Sequence, residues 1–502
     1  MNEYSRIPWR LSIILLAATL LYLPAISACP SIDDLYCLKL ARFSSFNLLT
    51  ASYSFYRPIE LLINSINYSF FELRPYFSIG FNIALYLLNI CLVFYLARAI
   101  LRSRAAALLS ALLYALHPAN ASSVIQIDAI SQNSASSLAL VSFYLLFISR
   151  RIIGRVRSPG SIALMFLLFF GILCSKESVL GLFGLYPLLF LYRLKREDRL
   201  TIRSCVPILA AWAAALSVYL LIRLHLEIPP FDHANIMAGA ADDSYGLYLD
   251  LKTAIRNLFL LTGVTAYLGN SIDLFISTRP LRQISLAAGV ILSTGTILPA
   301  LAGAAGYIRS LMRKGNRSGE RFLVFSLLLC FIAATFPIVI TVDRVSELYG
   351  SLLTPFYSIL LIFFAGRAVR TIPEGIKRYY LTLCLLLFLA SSVYSITSKV
   401  FCYREVGKQS CQFIALLKEP PLSELSGEAG EVPVCLHGDK KPDDAPDQEY
   451  SIFYIHYPHI ISPLRFHPFK RDLSIRFRYG GGPDCRYHIH VDDRELRFVE
   501  GD

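Results

Sequence analysis

Two adjacent carboxylates, Asp33 and Asp34, follow directly on the apolar stretch LSIILLAATLLYLPAISA at residues 11–28. A carboxylate takes up protons, and a cation or a hydrogen-bond donor steadies a departing anion. Groups of both kinds recur along the chain in similar places. Arg57 precedes Pro58, with Glu60 two residues further on. His117 precedes Pro118 in ALHPANASSVIQIDAISQNSASS, which also carries Gln126, Asp128 and Gln132. Lys176 and Glu177 sit together between two apolar runs, and TVDRVSELYG brings Asp343, Arg344, Glu347 and Tyr349. Each has a plain structural reading. An Asp-Asp pair suits a solvated loop, Arg-Pro opens a helix, His-Pro stops one, Lys-Glu makes a local ion pair and Asp-Arg a turn. Ionisable groups at membrane depth are expensive and normally pair or line a wet cavity. Their recurrence at the same end of successive apolar runs therefore points to an outward-facing polar cavity.

The elements that must position these groups are set by composition. The chain has 502 residues, 55% hydrophobic and 17% charged, with a mean hydropathy of +0.52. Soluble proteins carry about a quarter charged residues. Apolar runs of near-spanning length recur from residue 10 to residue 398. Lipid offers the backbone no hydrogen bonds, so such runs must be helices. The fold class expected is mainly α, a polytopic bundle of about eleven membrane helices. They fall near 10–28, 76–97, 104–117, 132–149, 159–175, 177–193, 203–222, 283–307, 322–341, 348–366 and 379–398. The first is too long for a signal peptide and lacks a small-residue cleavage site, so it reads as a retained anchor. The stretch 247–268 carries Asp250, Lys252 and Arg256 in its first half and reads as an amphipathic helix at the outer interface.

Orientation follows from the basic connections 98–104, 150–157, 193–203, 309–321 and 366–378, which belong in the cytoplasm with Arg6 and Arg10. They hold much of the net charge of +12. That charge describes topology and contact with anionic lipids, and is no evidence for nucleic acid. The path leaves 29–75, 117–131, 223–282 and the tail outside. Residues 1–399 form the membrane domain and 400–502 a small β-rich extracytoplasmic domain, in which YSIFYIHY, LSIRFRYG, YHIHVDD and ELRFVEG alternate as half-buried strands do. Six of eleven cysteines (Cys29, Cys37, Cys402, Cys411, Cys435, Cys485) then lie outside, where disulfides are permitted but their pairing is open. His488 and His490 have strand spacing with Asp492 in line, yet exposed histidines on a strand are common and no third zinc ligand is fixed.

In their order along the chain these pieces resemble the GT-C superfamily of polytopic glycosyltransferases, which take sugars from polyprenyl phosphate carriers. Within it the likeness is to the protein O-mannosyltransferases with tetratricopeptide tails and their bacterial relatives. It is carried by the Asp pair at 33–34, YRP at 56–58, ALHPANASSVIQI at 115–127, SKES at 175–178 and, more loosely, SELYGSLL at 346–353. It covers roughly residues 9 to 400. The stretch FSIGFNIALYLLN lacks the histidines the family often carries there, and the tail shows no tetratricopeptide pattern.

The resemblance implies an integral, multi-pass enzyme of a bacterial inner membrane that faces outside. It would transfer a hexose, of which mannose is one, from a polyprenyl phosphate donor to a protein, glycan or lipid hydroxyl with inversion. It implies a catalytic base in the first outer loop, Asp34 with Asp33 as the alternative. Arg57, Lys176 and Arg344 become the candidates to hold the donor phosphate, with His117, Glu177 and Glu347 in support. No cofactor is required, although a divalent metal is compatible with such a site. The alternative class is a lipid or polysaccharide transporter, which should show internal repeats or paired broken helices; the sequence shows no repeat.

Overall fold

A computed structural model describes residues 8–30, 32–44, 46–49, 56–149, 158–226, 251–269, 280–313, 318–341 and 347–418, together with five strands in the tail. The protein is mainly helical. In chain order the helices are α1 (Trp9–Tyr22), α2 (Ile32–Ser44), α3 (Pro58–Phe71), α4 (Tyr76–Leu101), α5 (Arg104–Ala115), α6 (Ala121–Ile125), α7 (Ile130–Phe143), α8 (Pro159–Leu173), α9 (Leu180–Arg196), α10 (Ile202–His225), α11 (Leu251–Ala266), α12 (Pro280–Arg313), α13 (Ser318–Thr341), α14 (Glu347–Val369) and α15 (Glu374–Lys418). Local sequence sets several starts. Pro58 and Pro159 occupy first turns, where a missing N–H costs nothing. Ser103 accepts from the Ala106 N–H at the start of α5, and Thr201 with Ser204 forms a capping box for α10.

Seven stretches among the described residues are long and apolar enough to cross a membrane: Trp9–Ser27, Tyr76–Leu101, Ile202–His225, Leu286–Ser310, Gly319–Ile340, Leu348–Val369 and Glu374–Arg404. The bent pair Arg104–Ala115 and Pro118–Ile125 makes an eighth if taken as one span. The chain is thus an integral, multi-pass membrane protein. The other expected spans are helical but fall short by the same measure. α7 is crowded with Ser131, Gln132, Asn133, Ser134, Ser136 and Ser137 and closes in a π-helical turn, α8 has 15 residues, and α9 ends in Arg193, Lys195 and Arg196.

A proline in or at a helix frees a carbonyl that lipid cannot satisfy, and at three such prolines polar side chains supply the donor. Pro118 cannot donate to Tyr114 O; Asn120 Nδ2 (2.8 Å) and the Tyr86 hydroxyl (2.8 Å) do. The chain bends by 50° at this point. Pro187 leaves Phe183 O to the Trp212 indole at 3.2 Å, and Pro299 leaves Gly295 O to the Tyr380 hydroxyl.

Three expectations change. The segment 29–75 is not a plain loop: it holds α2 and α3, which pack through Ser44 and Ser65, their hydroxyls 3.2 Å apart. Asp33 and Asp34 therefore lie in the first turn of a helix. The stretch 104–117 is not a straight span, because it ends at the His117-Pro118 break. Finally, α15 runs unbroken through residue 399, where the tail was expected to begin.

In the tail, β1 (Glu431–Gly438), β2 (Leu464–Phe466), β3 (Leu473–Tyr479), β4 (Tyr487–Val491) and β5 (Leu496–Glu500) pair in the order β2-β3-β1-β4-β5. β1 is not among the strands expected from alternation, and it runs parallel to both β3 and β4. The segment YSIFYIHY lies outside the described residues.

Candidate active site

Buried amides fold the 117–133 segment onto α4. Asn82 Nδ2 donates to Ser123 O (2.8 Å), Val124 O (3.1 Å) and Gln126 O (3.0 Å), and its Oδ1 accepts from Asn133 (2.7 Å). These bonds fix the extended residues after α6, and that in turn aims the Ile127 amide.

The Ile127 N–H donates to Asp34 Oδ1 at 2.9 Å. The hydroxyl of Tyr403, from α15, donates to Asp34 Oδ2 at 2.5 Å. Asp34 is fully buried. A carboxylate in such a place is tolerated because charge-assisted hydrogen bonds replace its water.

One helical turn along α2, on the same face, the Cys37 thiol donates to Glu60 Oε1 at 3.6 Å. Glu60 is also buried, with Arg57 4.0 Å from its Oε2. Burial pushes the Glu60 carboxyl above its usual 4.5, opposed by Arg57, Ser131, Lys176 and Cys37. The structure thus brings α2, α3, α7 and the Ser175–Lys176 turn to one place. Lys176 is 7% exposed, its Nζ 5.7 Å from the centre of the Tyr349 ring at the start of α14. A buried guanidinium, Arg223, bonds the Tyr219 hydroxyl at 3.1 Å, and the Tyr219 ring meets Tyr56 beside Arg57.

His117 has a different place from Asp34. Its Nδ1 accepts from the Ala119 N–H at 3.2 Å, which leaves Nε2 protonated to donate to Thr265 O at 3.0 Å. The ring ties the helix break to α11. Nearby, Lys399 is fully buried and donates to Pro118 O at 3.0 Å. Of the other sequence candidates, Arg344 lies outside the described residues. Asp33, Glu177 and Glu347 are placed on their helical turns by the backbone, and their side chains lie outside what is described. His488 and His490 lie on β4, in register with Cys435 and His437 of β1; Asp492 is outside the described residues. Among the described residues no group of three or more His, Cys, Asp or Glu side chains is placed to hold a metal ion.

Sequence reasoning passed over Lys399, Tyr403 and Arg223. Lys399 had a signal: a lysine inside an apolar helix is costly and so marks a site. Tyr403 had one only in combination, since residues 399, 403, 407 and 411 share the i+4 spacing of a single helix face.

The arrangement can take a proton at Asp34 and hold an anion at Arg57 and Lys176. No family model matches the chain, and no curated protein matches it. Among solved structures the chain is similar to the oligosaccharyltransferase of Archaeoglobus fulgidus in the apo form, with 12% identity and a TM-score of 0.46 over 86% of this chain and 63% of that one. It is similar to ArnT from Cupriavidus metallidurans bound to undecaprenyl phosphate, with 13% identity and a TM-score of 0.44 over 92% of this chain and 85% of that one. It is also similar to AglB from Archaeoglobus fulgidus in complex with an inhibitory peptide and a dolichol-phosphate, with 12% identity and a TM-score of 0.44 over 85% of this chain and 62% of that one. The chain thus spans less than two thirds of the archaeal enzyme's length.

Proposed function

We propose that this protein is a membrane glycosyltransferase that moves a sugar from a polyprenyl phosphate donor to an extracytoplasmic hydroxyl, with inversion. The observation that carries the reading is Asp34: a fully buried carboxylate just beyond the first apolar helix, held on both oxygens by donors, one helical turn from the Cys37–Glu60 contact that leads to Arg57 and Lys176. The polyprenyl chain would keep the donor in the bilayer, so the chemistry must lie at a membrane interface, where the end of α1 delivers Asp34.

In this mechanism Asp34 accepts the proton of the acceptor hydroxyl as its oxygen attacks the anomeric carbon. The anomeric C–O bond breaks on the opposite face, and its electron pair leaves with the polyprenyl phosphate. Arg57 and Lys176 stabilise that phosphate, with Arg344 as a further candidate and Asp33 as the alternative base. Glu60 orients Arg57, and His117 holds the helix break beside the site. Glu177 and Glu347 flank Lys176 and Tyr349 in sequence. The reaction needs no cofactor, and a divalent ion is an optional addition. The sugar is a hexose, with mannose the first to test; the acceptor is a protein, glycan or lipid hydroxyl. The full topology has about eleven spans, with the site and a β-rich domain at 400–502 facing outside a bacterial inner membrane.

The test is incubation of the purified protein with labelled polyprenyl phosphate hexoses and extracted envelope acceptors. Label transferred to acceptor, with release of polyprenyl phosphate, is the expected result. Binding or movement of the donor without bond cleavage would favour the transporter class.

A further inference from the structure

We propose that Tyr403 is the positioning residue of the Asp34 base, and that one face of α15 is built to hold it there; this rests on the reading of Asp34 as the base. Four residues at successive i+4 positions, Lys399, Tyr403, Gly407 and Cys411, put one face of α15 against three separate pieces of the candidate site. Lys399 Nζ donates to Pro118 O at the helix break. Tyr403 donates to Asp34 Oδ2. Gly407 is buried so tightly against Cys29 that an added Cβ would strike the Cys29 carbonyl oxygen and lie 2.9 Å from its nitrogen. Cys411 closes the series with a disulfide to Cys29. The stripe covers about 18 Å of helix at about 1.5 Å per residue.

The two ends of this arrangement enclose the base. Cys29 lies five residues before Asp34, and Cys411 eight residues after Tyr403. The covalent link and the glycine contact therefore fix α15 against the segment that leads into α2, and the Tyr403 hydroxyl is fixed relative to Asp34 in consequence. Each carboxylate oxygen has two acceptor directions. The Ile127 amide occupies one on Oδ1 and Tyr403 one on Oδ2, which together set the carboxylate plane. A base held in this way pays no rotational entropy at the moment of proton transfer. Tyr403 touches neither donor nor acceptor in this scheme and acts through Asp34.

The competing reading is that the Tyr403 ring is simply packed, since it is 4% exposed. Tyr403→Phe separates the two because it keeps the ring and removes the O–H. The full-length protein would be purified in lipid nanodiscs under oxidising conditions, and the Cys29–Cys411 link checked by intact mass. Turnover is read with undecaprenyl phosphate-linked mannose and extracted envelope acceptors. We expect kcat to fall about tenfold to a hundredfold, as for loss of a hydrogen bond to a charged group, with donor KM changed by no more than about twofold. Tyr403→Phe protein with wild-type kcat would overturn the proposal. If the wild-type protein does not turn over this probe, the functional reading is what has failed, and an infrared measurement still decides the positioning. With isotope-labelled aspartate, the carboxylate band of Asp34 is assigned by its loss in Asp34→Asn. A shifted band in Tyr403→Phe supports the positioning role, and an unmoved band overturns it.

Discussion

Gly407→Ala is a one-methyl perturbation whose effect can be worked out from the structure. A Cβ at this position would collide with the Cys29 carbonyl oxygen and lie 2.9 Å from the Cys29 nitrogen, where ordinary contact begins near 3.4 Å. The nitrogen alone asks α15 to retreat by about half an ångström, and the oxygen asks for more. The neighbour cannot give way as a side chain would, because it is backbone and is tied to the same helix by the Cys29–Cys411 disulfide. Overpacking of this kind costs about 1–3 kcal/mol. One turn back, the same displacement stretches the 2.5 Å bond between Tyr403 and Asp34. A suitable control is Gly306→Ala, in the interior of α12, where a new Cβ meets nothing within 4 Å. There alanine should stabilise by about 0.5–1 kcal/mol through helix propensity. The assay is the thermal midpoint of both variants in nanodiscs, with disulfide content checked by mass. The midpoint should fall for Gly407→Ala and hold or rise for Gly306→Ala. Equal behaviour of the two would refute the close approach of α15 to Cys29, and with it the stripe that positions Asp34.

Further outcomes are expected at three other places. Removing the disulfide by Cys411→Ser should lower the stability by about 2–5 kcal/mol, since it closes a long loop, and a midpoint unchanged by the substitution would show that the link does not hold the fold. Glu60 binds its proton more tightly in the folded chain than in the unfolded one, because burial outweighs Arg57. Its contribution to stability is complete below the usual 4.5 and is lost as pH rises through the folded value. Glu60→Gln should therefore raise the midpoint at neutral pH and leave it unchanged in acid; a lower midpoint at neutral pH would show that the ion pair with Arg57 dominates instead. Lys176→Met should raise donor KM and lower kcat together if Lys176 faces the donor phosphate. A variant that loses folded yield, with both yield and turnover restored in Lys176→Met, Glu177→Gln, would make Lys176 a structural partner.

The helices were legible because their signal is composition and length, which depend on each residue's own chemistry. Each expected span from 10–28 to 379–398 contains helix. What the sequence obscured were consequences of distant partners. Nothing near Pro118 in the chain shows that the Tyr86 hydroxyl, from α4, will take the Tyr114 carbonyl it frees, so the bend there reads only as a stop. The segment 29–75 reads as a loop because Ser44, Ser65 and Asn67 are polar, yet those groups are spent between α2, α3 and the start of α4. At the site, Asp34, Arg57 and Lys176 were legible as charges that lipid would not tolerate alone. Their ordering partners were not, because Ile127 contributes a backbone amide and Tyr403 lies 369 residues away in sequence. His117 illustrates the converse: its residue type suggests proton chemistry, while both ring nitrogens bond backbone.

The central claim is that Asp34 is the base of a sugar transfer from a lipid phosphate. The most direct measurement is transfer by Asp34→Asn, in protein shown to be inserted and to retain the Cys29–Cys411 link, against wild type with the same labelled polyprenyl phosphate hexose. Asparagine keeps the shape and still accepts from the Ile127 amide, so the protein should fold while transfer falls about a hundred- to ten-thousandfold. Near-wild-type transfer by Asp34→Asn would contradict the account, and would move the base to Asp33 if Asp33→Asn alone were inactive.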